Sequence, residues 1–253
     1  MTANETSGHD ESDVVAVIPA RMASTRFPGK PLASETGKPM IQHVHEQASR
    51  ATLVDRVVVA TDDRAIHDAV VNFGGEAIMT SAEHPNGTSR IAEAIEGIPC
   101  SIVVNVQGDE PMIDPETIDL AIETLKNDPG ASMATVACPF TENEDPKDPN
   151  LVKAVRGADG RALTFSRKAI PQAGRDGYSQ AHRHVGLYTY ERDFLPIFAA
   201  LSPTPRERLE RLEQLRAIEH GHPIALSFCS WAHHGIDTPE QYAAFVRLHD
   251  SQV

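Results

Sequence analysis

"AVIPARMASTRFPGKPL" runs from Ala16 to Leu32 and decides how the rest of the chain is read. It opens as the end of an apolar strand, Val14 to Ala20, and turns into a loop carrying Arg21, Arg26 and Lys30 beside Ser24, Thr25 and Gly29. In parallel α/β sheets, ligands bind beyond the carboxyl ends of the strands, and this loop begins there. A polyphosphate needs cations plus backbone N–H donors, and a glycine lets the backbone come close. Neither GxxxxGK[ST] nor GxGxxG is present, so this is not a Walker A or dinucleotide loop. Taken alone, a solvated turn with surface cations explains the stretch equally well.

Outward from the loop, apolar runs alternate with helical spacing. "PMIQHVHEQASRA" (39–51) repeats Met40, Val44 and Ala48 at helical intervals. Strands are predicted at 56–62, 76–80 and 101–107, with helices at 64–75 and 88–98 between them. "DPETIDLAIETLKND" predicts a helix capped by Asp114, with Pro115 at its first position. This order predicts an α/β fold: a mostly parallel sheet with helices on both faces. In the second half, "SMATVACPF", "LVKAVRG", "RALTFSR" and "HVGLYTYERDFL" read as strands, and residues 140–200 as a small strand-rich lobe inserted in one domain spanning 14–250. "PRERLERLEQLRAIEHG" predicts one long charged helix ending at Gly221; a late strand, "PIALSFC", and a terminal helix capped by Thr238 follow.

Composition narrows the class. The 253 residues carry a formal net charge of −13, which argues against nonspecific nucleic-acid binding but not against a small anion. No apolar run reaches the roughly 18 residues that cross a membrane. Residues 1–13 are polar and acidic, unlike a signal peptide, and read as a disordered tail. Cys100, Cys138 and Cys229 are scattered, which indicates neither a disulfide scaffold nor a zinc site and fits a reducing cytoplasm.

Two further stretches carry chemistry. "NVQGDEPMI" (105–113) ends a buried strand in Gln107, Gly108, Asp109 and Glu110. A carboxylate there suits Mg²⁺, which takes one or two carboxylates and completes its shell with water and substrate phosphates; a plain polar turn is the alternative. "GIDTPEQ" (235–241) offers Asp237, either a second ligand or a helix cap. The pairs His43/His45, His182/His184 and His233/His234 lack cysteine partners at zinc spacing. No GxSxG elbow is present.

Together, "IPARMASTRFPGKPL", "GKPMIQHV", "VVVATDD", "NGTSR", "VVNVQGDEP", "FSR", "RHVGLYTY", "LEQLR" and "GIDTPE" resemble the 3-deoxy-manno-octulosonate cytidylyltransferase family, in family order from about residue 14 to 246. The resemblance implies a nucleotide-diphospho-sugar transferase-like fold with a dimerisation lobe, in a cytoplasmic homodimer. It implies transfer of CMP from CTP to an acidic eight-carbon sugar for lipopolysaccharide assembly, with Mg²⁺ and no membrane or nucleic-acid partner. It assigns Arg21 and Lys30 to the triphosphate, with Ser24 and Arg26 nearby. Ala20, Arg90 and Gln107 fall to the cytidine, Asp109 and Asp237 to Mg²⁺, and Arg167, His184, Glu213 and Gln214 to the sugar. Arg21, Lys30 and Asp109 are the catalytic expectations. Asn86 and Ser89 depart from the family's usual Ser and acidic residue, and Gln172 replaces an aromatic after "FSR..IP". That last departure keeps an 8-amino octulosonate or another acidic sugar open as substrate, with a non-catalytic nucleotide-binding protein as the other class.

Overall fold

The strand that opens the chain is buried along its length except for Pro19. β1 (Val14–Ala20) can be apolar throughout because both its neighbours and both its faces are covered. It pairs in parallel with β2 (Arg56–Thr61), Val17 opposite Val58, and with β4 (Ile102–Asn105), Ala16 opposite Val104. β3 (Glu76–Met79) extends β2. Beyond β4 lie β8 (His182–Glu191), β5 (Met133–Cys138) and β9 (Ile224–Phe228), giving the order β3-β2-β1-β4-β8-β5-β9. Only β8 runs against the others along this path. The structure is a computed structural model and describes residues 14–23, 25–170 and 181–251. The tail 1–13, Ser24 and Gln172 lie outside the described residues.

Strand alternation divides the core into two layers. Val14, Ala16 and Ile18 face one cluster, covered by α1 (Met40–Ala48), α2 (Arg64–Asn72) and α4 (Pro115–Lys126) through Ile41, Ile66 and Ile118. Val15 and Val17 face the other, covered by α3 (Gly87–Ala94) and α5 (Phe194–Ala200) through Ile91 and Phe198. The expected α/β arrangement, with helices on both faces, is therefore the observed one.

Three expectations are corrected. Residues 140–200 do not all stand apart: β8 is a central strand of the sheet, and only β6 (Lys153–Arg156) and β7 (Ala162–Ser166) lie off its main path. The long charged helix is two short ones, α6 (Pro205–Glu210) and α7 (Gln214–Glu219), divided at Arg211 with φ 53°. Leu209 is 71% exposed while Leu215 is fully buried, so the apolar steps of three do not form one stripe. The break turns Glu213 inward. Phe194 and Leu195, read as the end of a strand, instead open α5. The terminal helix, α8 (Pro239–Asp250), stands where the sequence put it.

β6 carries a fully buried lysine. The Lys153 ammonium donates to the carbonyls of Asp148, Leu151 and Arg167, each at 2.7 Å. Burial lowers its pKa, and the three acceptors hold the charge in place. Lys153→Met would strand these carbonyls, and a stability loss of about 3 kcal/mol or more is expected. A urea midpoint unchanged from wild type would contradict it.

Candidate active site

Lys30 owes its direction to the residue before it. Gly29 sits at φ 74°, a conformation that side-chain-bearing residues rarely adopt, and starts a 3₁₀ turn over Lys30–Leu32. The turn drives the Lys30 ammonium inward, to 2.9 Å from Asp109 Oδ2, 2.7 Å from the Ile236 carbonyl and 3.8 Å from Asp237 Oδ1. Arg26 lies 2.8 Å from the same Asp237 oxygen. Four charged side chains from three distant stretches thus meet in one place.

Asp109 arrives there because β4 is followed by a close crossing over β1. Val106 N–H donates to the Val17 carbonyl at 3.1 Å, and a Cβ on Gly108 would lie 2.8 Å from the Pro19 carbonyl oxygen. Only glycine clears that backbone. Gly108→Ala is expected to destabilise by about 1–3 kcal/mol through overpacking. It should also displace Asp109, so a variant with both normal Tm and normal turnover would overturn this reading.

Asp237 is brought in by α8, which follows it. Thr238, not Asp237, caps that helix: its hydroxyl accepts from Gln241 N–H at 3.4 Å, and the Gln241 side chain accepts from the Thr238 N–H at 3.0 Å. The Asp237 carboxylate is thereby left to face Arg26 and Lys30. Ile236 N–H donates to the Asp109 carbonyl at 2.8 Å and ties the two acidic stretches together. Glu110 beside them is pushed up to about 8, first by burial and then by the Asp109 charge. At neutral pH it holds its proton and adds little negative charge.

Two hard carboxylates converging on one ammonium fit Mg²⁺, which asks for few protein oxygens and fills its shell with water and phosphate. Among the described residues no group of three or more His, Cys, Asp or Glu forms a dedicated metal cage.

A cleft of about 700 Å³ opens above these charges. Ala20, Arg21, Arg26 and Lys30 of the first loop line it together with Arg90, Gln107, Asp109 and Asp237. Arg90 is buried on α3, donating to Thr80 Oγ1 at 2.6 Å and lying 3.3 Å from Asp62. Gln107 donates to Asn105 Oδ1 at 3.0 Å. Ser24 lies outside the described residues.

The four sugar-side candidates do not line this cleft. Glu213 stands behind it, accepting from Asn86 Nδ2 and Thr88 Oγ1, both at 2.6 Å. Asn86 does line the cleft and also caps α3, accepting from Ser89 N–H at 2.9 Å. The departures at Asn86 and Ser89 therefore form one local cap that braces Glu213. Burial raises the Glu213 pKa against the pull of Thr88. Gln214 is buried, and Arg167 donates to the Glu210 carbonyl at 2.9 Å. Sequence reasoning missed Asn86 and Thr88 as partners of Glu213, because nothing local links residues 125 or more positions apart.

His184 is packed against Phe165 and lies 2.9 Å from Thr135 Oγ1. Burial, then the Arg183 charge, lowers it from 6.5 to about 3. The unfolded chain therefore binds the extra proton first. Stability present above about pH 6.5 is lost as pH falls toward the folded pKa, on the order of 4 kcal/mol in all. His184→Gln should flatten the fall in urea midpoint between neutral pH and about pH 4. An unchanged slope would contradict the buried, neutral imidazole.

Comparison with known proteins agrees with this architecture. The profile of the cytidylyltransferase family matches residues 15–224. A 3-deoxy-manno-octulosonate cytidylyltransferase of Syntrophotalea carbinolica is 48% identical over 236 residues, covering 90% of this chain and 94% of that protein. One from Leptospira biflexa is 49% identical over 227 residues, covering 89% and 92%. The solved structure of a CMP:2-keto-3-deoxy-manno-octonic acid synthetase complexed with CTP superposes with a TM-score of 0.89 at 39% identity, covering 96% of this chain and all of that one. A putative glucose-1-phosphate thymidylyltransferase from Bacillus anthracis shares the fold, with a TM-score of 0.63 at 14% identity. With the glycine-set lysine and the crossing aspartate in place, and the match running through both halves of the sheet, the chain belongs to the cytidylyltransferase family, among its 3-deoxy-manno-octulosonate members.

Proposed function

We propose that the chain transfers CMP from CTP to the anomeric hydroxyl of 3-deoxy-D-manno-octulosonate, releasing pyrophosphate and supplying an activated sugar for lipopolysaccharide assembly. The observation that carries this is Lys30 held between Asp109 and Asp237 in the lining of a cationic cleft, in a chain of this family.

The sugar hydroxyl attacks the α-phosphorus in line, and pyrophosphate leaves from the opposite side. Arg21 and Lys30, with Arg26 nearby, neutralise charge on the departing pyrophosphate. Ala20, Arg90 and Gln107 hold the cytidine side. Asp109 and Asp237 are the oxygens offered to Mg²⁺, which when bound lowers the pKa of the attacking hydroxyl and screens the α-phosphate. Arg167, His184, Glu213 and Gln214 are assigned to holding the sugar acid; none of them is among the residues lining the cleft, and Glu213 reaches its wall through Asn86. The same reading makes the enzyme a cytoplasmic homodimer, which sedimentation equilibrium would check. No helix among the described residues is long and apolar enough to cross a membrane.

The decisive experiment is pyrophosphate release with CTP, Mg²⁺ and a panel of acidic sugars. Release with 3-deoxy-D-manno-octulosonate is expected. Release with the 8-amino analogue alone would move the substrate, and no release with any sugar would favour a binding protein.

A further inference from the structure

The sequence scatters its cysteines, but the sheet brings two of them together. β5 and β9 are parallel neighbours with Ala137 opposite Phe228, so the next positions, Cys138 and Cys229, face each other. Cys229 N–H donates to the Ala137 carbonyl at 3.0 Å and continues the ladder to that point. Register partners in a parallel ladder share a face. Both side chains accordingly pack into the same core cluster. Paired strands lie about 4.8 Å apart, inside the roughly 4.4–6.8 Å span of Cα atoms that a disulfide bridges. Neither cysteine is in a disulfide.

We propose that Cys138 and Cys229 are a reversible disulfide site, in which Cys229 reacts first and Cys138 resolves it.

The order follows from access and from acidity. Cys138 is fully buried. Cys229 is half-buried on the wall of a separate cavity of about 330 Å³, beside the N-terminus of the twelve-residue helix α4. Its thiol donates to the Ala137 carbonyl at 3.6 Å, which holds the sulfur over the end of β5 beside Cys138. The Cys138 thiol beside it lowers the Cys229 pKa against the effect of burial, while Cys229 followed by burial pushes Cys138 up. Of two neighbouring thiols, the accessible one of lower pKa is the one that attacks. Asp114, Glu116, Asp119 and Glu123 line the same cavity. Their charge disfavours anionic oxidants such as glutathione disulfide, so a neutral hydroperoxide is the oxidant class.

The chemistry balances with hydrogen peroxide as co-reactant. The Cys229 thiolate attacks one peroxide oxygen, the O–O bond breaks, and hydroxide leaves and takes up a proton to become water. Cys229 is then a sulfenic acid. Cys138 attacks its sulfur, the S–O bond breaks, and a second water carries away the oxygen with the Cys138 proton. Two electrons pass from the sulfurs to the peroxide. Because the register sets Cys138 beside Cys229, the sulfenic acid is captured before a second oxidation to the irreversible sulfinic acid.

The test treats the full chain with hydrogen peroxide, alkylates the remaining thiols and maps peptides by mass spectrometry. The expected product is an intramolecular Cys138–Cys229 cross-link, reversed by dithiothreitol, with Cys100 alkylated. In Cys138→Ser, dimedone should trap Cys229 as sulfenic acid, and sulfinic acid at Cys229 should rise about tenfold over wild type. In Cys229→Ser, Cys138 should stay unmodified, which checks the order without removing the buried thiol. No cross-link, a cross-link through Cys100 or between chains, or equal sulfinic yields in wild type and Cys138→Ser would overturn the proposal.

Discussion

Asp109→Ala is expected to lower kcat by about three orders of magnitude, near 4 kcal/mol of transition-state stabilisation, while leaving the fold intact. Asp109 is partly exposed and, among the described residues, its carboxylate is paired with Lys30 at the edge of the cleft, so its removal opens no cavity in the core. Its backbone carbonyl keeps the bond from Ile236 N–H, so the approach of α8 to the QGD crossing survives. What disappears is half of the carboxylate pair. Turnover with CTP, Mg²⁺ and the octulosonate reads the loss, and thermal melting reads the fold. Near-normal turnover would remove Asp109 from the metal role.

Lys30→Met is expected to move two measurements in opposite directions. Turnover should fall by about a hundredfold, close to 2.7 kcal/mol, because the ammonium no longer neutralises the leaving pyrophosphate. Mn²⁺ binding in the absence of nucleotide should instead strengthen, by at least about tenfold. The ammonium lies 2.9 Å from Asp109 and 3.8 Å from Asp237, where it screens the carboxylates that a dication would use. Like charges at such a separation repel by about 4 kcal/mol in a partly exposed site, which leaves room for an effect of this size. Methionine keeps the apolar stem in its buried slot. Electron paramagnetic resonance of free Mn²⁺ reads binding without relying on turnover. Unchanged Mn²⁺ affinity would mean that Lys30 does not guard the carboxylates.

Much of the framework was legible in the sequence because its signals are local. The apolar run Val14–Ala20 has a single physical home, a strand covered on both faces, and it became β1. Asp114 and Thr238 announced their helices, and both cap them as expected. The misreadings occurred where local signals compete with tertiary ones. Leu209, Leu212, Leu215 and Ile218 suggested one helix, yet Arg211 breaks it so that Glu213 can reach Asn86 and Thr88. Phe194 and Leu195 looked like the end of a strand and became the start of α5, packed through Phe194 and Phe198 on the second core layer.

The sequence by itself determined the class of fold, the order of its elements and the residue types at the site, since periodicity, caps and glycine positions act over a few residues. Only the tertiary structure decided that Lys30 faces Asp109 and Asp237 and that Glu213 is braced by Asn86. It also decided that Cys138 meets Cys229. These partners lie 79 to 207 residues apart for the lysine, 127 for the glutamate and 91 for the cysteines. Contacts at such separations are set by strand order and register, which the pattern along the chain does not encode.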